Sequence, residues 1–191
     1  MRVDQIEQRF GDQVRVEWRA YLLRPGSEGG DPAKHDRFVE YTKSWQRPQS
    51  AEPSLRFRPW ATDNAQPSGS LPAHVAAKAM AEFSPEVDAR YHRRLMDAYF
   101  AENRTISDPE VFGDLAAECG VARPDFLAYV AEHQLRLGQA AIDDHNAAIE
   151  HGVTGVPTVL LDQVLPVQGA QDFSSYEHWI QRLLDRRSQE D

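Results

Sequence analysis

The sequence has a single cysteine, Cys119, in 191 residues. No disulfide can close within it, and no CxxC pair for redox chemistry or zinc can be assembled from its own residues. It also lacks any run near the roughly 20 consecutive apolar residues that a membrane helix needs. The opening MRVDQIEQRF has no apolar stretch of the kind a secretory leader carries. Positive charge is in the minority. The 21 Lys and Arg face 30 Asp and Glu, giving −9, whereas a nucleic-acid surface needs clustered cations against phosphate. The seven histidines fall in no HExxH or CxxC…H spacing, so no metal site is expected. Gly29-Gly30 is followed by neither Lys nor a helix, and no GxSxG elbow occurs. These absences point to a protein of the reducing cytoplasm that meets neither nucleic acid nor membrane.

What remains has the texture of a globular protein: 41% hydrophobic and 27% charged residues, enough chain for one core and an inserted subdomain. Val3, Ile6 and Phe10 share a helical face, predicting a helix over Arg2–Phe10 that begins without a capping residue, as if cut rather than begun. From Val14 to Leu23 apolar and polar residues alternate at first, which predicts a strand. The stretch from Arg24 to Pro72 holds seven of the 12 prolines and reads as mostly loop, with a short helix between Lys34 and Trp45. It suits either a cleft wall or a variable surface excursion.

Residues 73–151 read as helical throughout. Ser84-Pro85-Glu86 and a capping box at Ser107-Asp-Pro-Glu110 mark two starts, Gly120 one stop, and Arg123–His133 and Leu135–His151 supply one or two more helices. Asp143-Asp144-His145 is expected on a solvated helix face. Thr158–Leu161 and Val164–Val167 read as short strands joined tightly through Asp162-Gln163. A last amphipathic helix follows, with Ser174…Glu177 as its candidate capping box. Trp18, Trp45, Trp60 and Trp179 are expected to line the core or a cleft.

Two places carry candidate chemistry. Cys119 lies four residues from Leu115 and seven from Phe112, on the apolar face of a helix, and is expected to be a buried, unpaired, inert small hydrophobe. In His151-Gly-Val-Thr-Gly-Val-Pro-Thr-Val-Leu-Leu161 a proline directly precedes a strand. A trans turn proline is the commoner arrangement at such a place. A cis Val156–Pro157 bond would instead turn the Val156 backbone outward, to pair with an extended peptide as an added strand.

The run Gly152-Val-Thr-Gly-Val-Pro-Thr-Val159, followed by Val167-Gln-Gly-Ala-Gln171 and an amphipathic helix, resembles the DsbA-like thioredoxin-fold family, with its FrnE-like and 2-hydroxychromene-2-carboxylate isomerase-like members. Phe10-Gly-Asp12, Val16-Glu-Trp-Arg-Ala-Tyr-Leu-Leu-Arg-Pro25 and Ser107-Asp-Pro-Glu-Val111 fit the same pattern. The resemblance implies an α/β fold, a thioredoxin-like sheet interrupted by a helical insertion, with residues 1–23 and 152–191 in the thioredoxin-like part and 24–151 in the loop-rich segment and insertion. It implies a cis Pro157 and a substrate-facing Val156, with a peptide or a low-molecular-weight thiol as substrate. No cofactor is implied, and glutathione is the natural thiol ligand. A homodimer is compatible with it.

The resemblance also implies a departure. The family opens with a central strand and then a CxxC, or a Ser variant, at the N-terminus of the first helix, where the helix dipole lowers the thiol pKa. In that register Met1 lies downstream of both. The chain is therefore expected to be either a thiol–disulfide oxidoreductase lacking its catalytic cysteine segment, a redox-inactive peptide- or thiol-binding module, or a glutathione-dependent isomerase or transferase. Without the central strand, the sheet is expected to need residues upstream of Met1, to close its flanking strands on each other, or to be filled by a second chain.

Overall fold

In a computed structural model the described residues are 2–23, 32–51 and 56–190. Among them are eight α-helices and one two-stranded sheet. The chain parts into two compact units, residues 1–21 with 143–191, and residues 22–142. No helix among the described residues is long and apolar enough to cross a membrane.

The discontinuous unit starts with α1 (Arg2–Phe10). Its buried Ile6 and Phe10 meet Tyr176 and Ile180 of the last helix, α8 (Phe173–Glu190), and Leu161 of strand β1 (Thr158–Leu161). Strand β2 (Leu165–Gln168) runs antiparallel to β1, from Thr158 opposite Gln168 to Leu161 opposite Leu165. The turn between them places Asp162 and Gln163 at φ 51° and 60°, with the Val164 N–H donating to the Leu161 carbonyl at 3.1 Å. Two left-handed central residues give the turn the twist that paired strands require. The final helix starts at Phe173, with the Ser175 and Tyr176 N–H groups donating to the Asp172 carbonyl. Ser174 thus lies inside the first turn rather than at a cap, and Glu177 pairs with Arg9 of α1 at 2.7 Å.

The Val14–Leu23 segment forms no ladder among the described residues, and the predicted strand is corrected here. It keeps the extended pattern nonetheless. Val14 and Val16 are half-buried and Ala20 is buried, while Arg15, Glu17 and Arg19 are exposed. Glu17 pairs with both Arg15 and Arg19, at 3.0 and 2.7 Å, and side chains two apart share a face only in extended chain. Alternation in the sequence sets such a backbone, but a ladder also needs a neighbouring strand. The alternative in which this segment and Thr158–Leu161 close up on each other is not formed.

The Asp144 carboxylate holds the segment instead, accepting from the Ala20 N–H at 3.0 Å and from Arg19 Nη1 at 3.0 Å. Asp144 is only 7% exposed, which corrects the expected solvated face. His145 packs edge-on against Tyr21, ring centroids 4.9 Å apart.

The second unit is helical. Where the sequence reads mostly as loop, α2 (Pro32–Thr42) and α3 (Gln46–Ala51) flank a short 3-10 turn, Lys43–Trp45. Gly29-Gly30 and Pro25 lie outside the described residues. Phe38, Trp45 and Trp60 form a buried aromatic core with Tyr99 and Phe100 against it. Trp18 and Trp179 stay partly exposed. Next come α4 (Leu71–Phe83), α5 (Asp88–Phe100), α6 (Pro109–Glu118) and α7 (Arg123–Glu150). Of the one or two helices expected after Arg123, the structure has one, α7, which runs on through Gly138. The start of α6 shifts by one residue from the predicted box. Asp108 accepts from the Glu110 N–H at 3.0 Å as the cap, while Ser107 Oγ accepts from the Ser68 N–H at 3.0 Å. Asp with Pro at the next position satisfies a helix start more directly than Ser one residue earlier.

Candidate functional site

The Gly152–Thr158 loop connects α7 to β1. Helix α7 ends with Gly152 at φ +77°, its N–H on the Ile149 carbonyl and the Val153 N–H on the Ala148 carbonyl, both at 2.9 Å. That is a glycine C-cap in the left-handed region, which glycine adopts without Cβ strain. Val153 then buries its side chain, and the chain turns out through Thr154, Gly155 and Val156 before entering β1. The Val156–Pro157 peptide bond is cis.

The loop is tied at several atoms. Thr158 Oγ1 donates to the Gly155 carbonyl at 2.7 Å, and the Gly169 N–H donates to the Pro157 carbonyl at 2.9 Å. The Gln168 amide reaches across, donating through Nε2 to the Gly152 carbonyl at 3.1 Å and accepting from Thr154 Oγ1 at 3.0 Å. Gln171 Nε2 donates in turn to the Gln168 carbonyl at 2.8 Å. The Tyr176 hydroxyl, on a ring buried in the core of this unit, bridges the Gln171 N–H and the Gly169 carbonyl at 3.4 Å each. Val156 stands apart: the residue is 49% exposed, and among the described residues no hydrogen bond reaches its N–H or C=O. An open donor and acceptor beside a half-exposed apolar side chain are what an extended peptide needs in order to add as a strand.

The structure thus puts Val156 and Pro157 side by side on an exposed loop, whereas Cys119 sits elsewhere in the chain's second unit. Cys119 is 3% exposed and unpaired, one residue past the end of α6, in a core with Tyr91, Phe112 and Leu115. Burial pushes its thiol pKa up, and the neighbouring Arg90, which donates to the Cys119 carbonyl, only partly offsets this. A thiol in such surroundings is a poor nucleophile. No group of three His, Cys, Asp or Glu side chains able to hold a metal gathers among the described residues.

Sequence reasoning assigned no role to Thr154, Gln168, Gln171 or Tyr176. The signal was the Val167-Gln-Gly-Ala-Gln171 run, which stood out as a pattern without a physical task. Asp144 was legible by period, since it lies three and seven residues beyond Ala141 and Leu137, both fully buried.

A family model described as DSBA-like thioredoxin domain matches residues 1–181. No curated protein matches the sequence. Among solved structures, the cytosolic disulfide reductase DsbM from Pseudomonas aeruginosa, determined with GSH, superposes with a TM-score of 0.71 at 16% identity, covering 98% of this chain and 91% of that one. The probable DsbA oxidoreductase SCO1869 from Streptomyces coelicolor gives a TM-score of 0.69 at 23% identity, covering 95% and 81%. At these identities the likeness speaks for the fold.

Proposed function

The chain belongs to the DSBA-like thioredoxin-domain family, and from that premise we propose that its Gly152–Thr158 loop docks an extended peptide or a small thiol for thiol–disulfide exchange. The observation that carries the reading is the open main chain of Val156, half-exposed beside Pro157 on a loop tied down around it. A bound peptide would pair with the Val156 N–H and C=O as an edge strand, its apolar side chain against that of Val156.

The loop supplies docking only. Exchange proceeds by attack of a thiolate on a disulfide sulfur, and the one cysteine of the sequence is buried with a raised pKa. The attacking thiolate then comes from outside these 191 residues, either from further polypeptide or from glutathione. The DsbM structure determined with GSH favours glutathione as the small thiol. A glutathione-dependent isomerase or transferase would use the same docking surface. A reducing cytoplasm suits a protein whose one cysteine stays free.

The test is calorimetric titration of the purified protein with glutathione and with the pentapeptide Gly-Val-Cys-Val-Gly, repeated on Val156→Asp. Saturable binding to the native protein, lost in Val156→Asp with melting unchanged, is the expected result. Insulin-disulfide reduction is expected only when a thiol is added. Binding without turnover even then makes the chain a redox-inactive module, and absence of binding to the native protein rejects the docking reading.

A further inference from the structure

The docking loop is gripped on both arms at Gln168. Gln168 grips the arm before Val156 with its amide, through the Gly152 carbonyl at 3.1 Å and Thr154 Oγ1 at 3.0 Å. It grips the arm after Val156 with its main chain, as the β-ladder partner of Thr158, and the next residue, Gly169, donates to the Pro157 carbonyl at 2.9 Å. Only Gly155, Val156 and Pro157 span the gap between the two grips, and Thr158 Oγ1 closes the span on the Gly155 carbonyl at 2.7 Å. Gln168 is itself oriented by Gln171 Nε2 on its carbonyl.

The task demands both a donor and an acceptor at the end of a two-methylene stem. Glutamate keeps the acceptor and loses the donor, methionine loses both, and asparagine is one methylene short. Gln168 and Thr154 are exposed, so each bond adds little net stability and the fold does not depend on them. What they can fix is the conformation of a three-residue arc, and an arc fixed before binding spares the ordering cost that a loose one incurs.

We infer that Gln168 is a positioning residue that, with Thr154, holds the Val156 main chain in its docking conformation. The inference rests on the docking reading above and goes beyond it. It assigns a task to a side chain whose hydrogen bonds go to Gly152 and Thr154 rather than to Val156.

The experiment uses the full chain in native, Gln168→Met, Thr154→Val and Thr154→Ser forms. Three quantities are measured: the amide resonances of Gly155 and Val156 by heteronuclear NMR, the Kd for the Gly-Val-Cys-Val-Gly pentapeptide, and the melting temperature. In Gln168→Met and Thr154→Val the two resonances are expected to shift or broaden while those of α1 and α8 stay in place. The Kd is expected to rise about three- to tenfold, the equivalent of one such bond. Melting is expected to fall by no more than about 6 °C, and Thr154→Ser, which keeps the hydroxyl, is expected to behave as the native protein. Unmoved Gly155 and Val156 resonances in Gln168→Met overturn the inference whether or not the pentapeptide binds. Moved resonances with an unchanged Kd also overturn it, as does a general loss of melting temperature, which would make the role structural. If the native protein does not bind the pentapeptide, the docking reading falls by itself, and the resonances still decide whether Gln168 holds the loop.

Discussion

Asp144 is the buried carboxylate on which the extended Val14–Tyr21 segment depends. Its two oxygens take the Ala20 N–H and Arg19 Nη1 separately, so no single replacement supplies both contacts. Asp144→Ala strands a buried backbone donor and leaves Arg19 with Glu17 alone, and it is expected to cost about 2–4 kcal/mol, read from the urea midpoint. Asp144→Asn keeps an oxygen for Ala20 and should lose less. Equal midpoints for native protein and Asp144→Ala would show that the core formed by Val14 and its neighbours, not this carboxylate, holds the segment. Cys119 makes the opposite kind of prediction. Its thiol is buried and its pKa is raised by that burial, so a thiol reagent at neutral pH should label native protein far more slowly than urea-unfolded protein. Rapid native labelling would return Cys119 to the list of candidate nucleophiles.

Turns and helix ends decide how the elements join, and the β1–β2 turn is the least comfortable of them. Asp162 tolerates a left-handed backbone and is paired with Arg187, but Gln163 adopts φ 60° with neither advantage. Gln163→Gly removes the Cβ clash and is expected to stabilise the discontinuous unit by about 0.5–1 kcal/mol. That is a rise of roughly 1–4 °C in melting temperature for a chain of this size, measurable by circular dichroism. A fall would mean that glycine's freedom in the unfolded chain outweighs the relief. The helices were readable because a 3.6-residue period is written in one segment alone: α1 covers the predicted Arg2–Phe10, and α5 starts just after the start read at Ser84-Pro85-Glu86. That Val14–Leu23 forms no ladder was not readable, because pairing belongs to two segments, and alternation reports only which faces are wet. The Gly152–Thr158 loop was singled out through its likeness to a family. Its brace was missed because hydrogen bonds between Thr154, Gln168 and Gln171 leave no period to detect.

At the scale of the whole chain, acid is the most informative perturbation, because two groups in the helical unit titrate far from their ordinary values. Burial lowers the His92 pKa from 6.5 to about 4, with the nearby His74 adding to the shift. Between those values the unfolded chain takes up a proton that the folded one refuses, so stability is complete above pH 6.5 and falls as pH drops toward 4. The full difference corresponds to about 3 kcal/mol, a large part of an ordinary net stability of roughly 5–15 kcal/mol. Glu82 works in the next window down. Hydrogen bonds from Arg136 and Tyr129 lower its pKa from 4.5 to about 2 despite some desolvation, so its contribution is present above pH 4.5 and disappears toward pH 2. Because Glu82 and Arg136 are both well exposed, water screens this second term and it is the smaller one. Urea unfolding from pH 8 to pH 3 should therefore show a first decline beginning near pH 6.5. His92→Gln, which cannot charge, should flatten that decline and leave the lower one in place. A native profile that stays level from pH 7 to pH 5 would mean that His92 finds a way to be protonated in the folded state, with its neighbours opening to water as it does so.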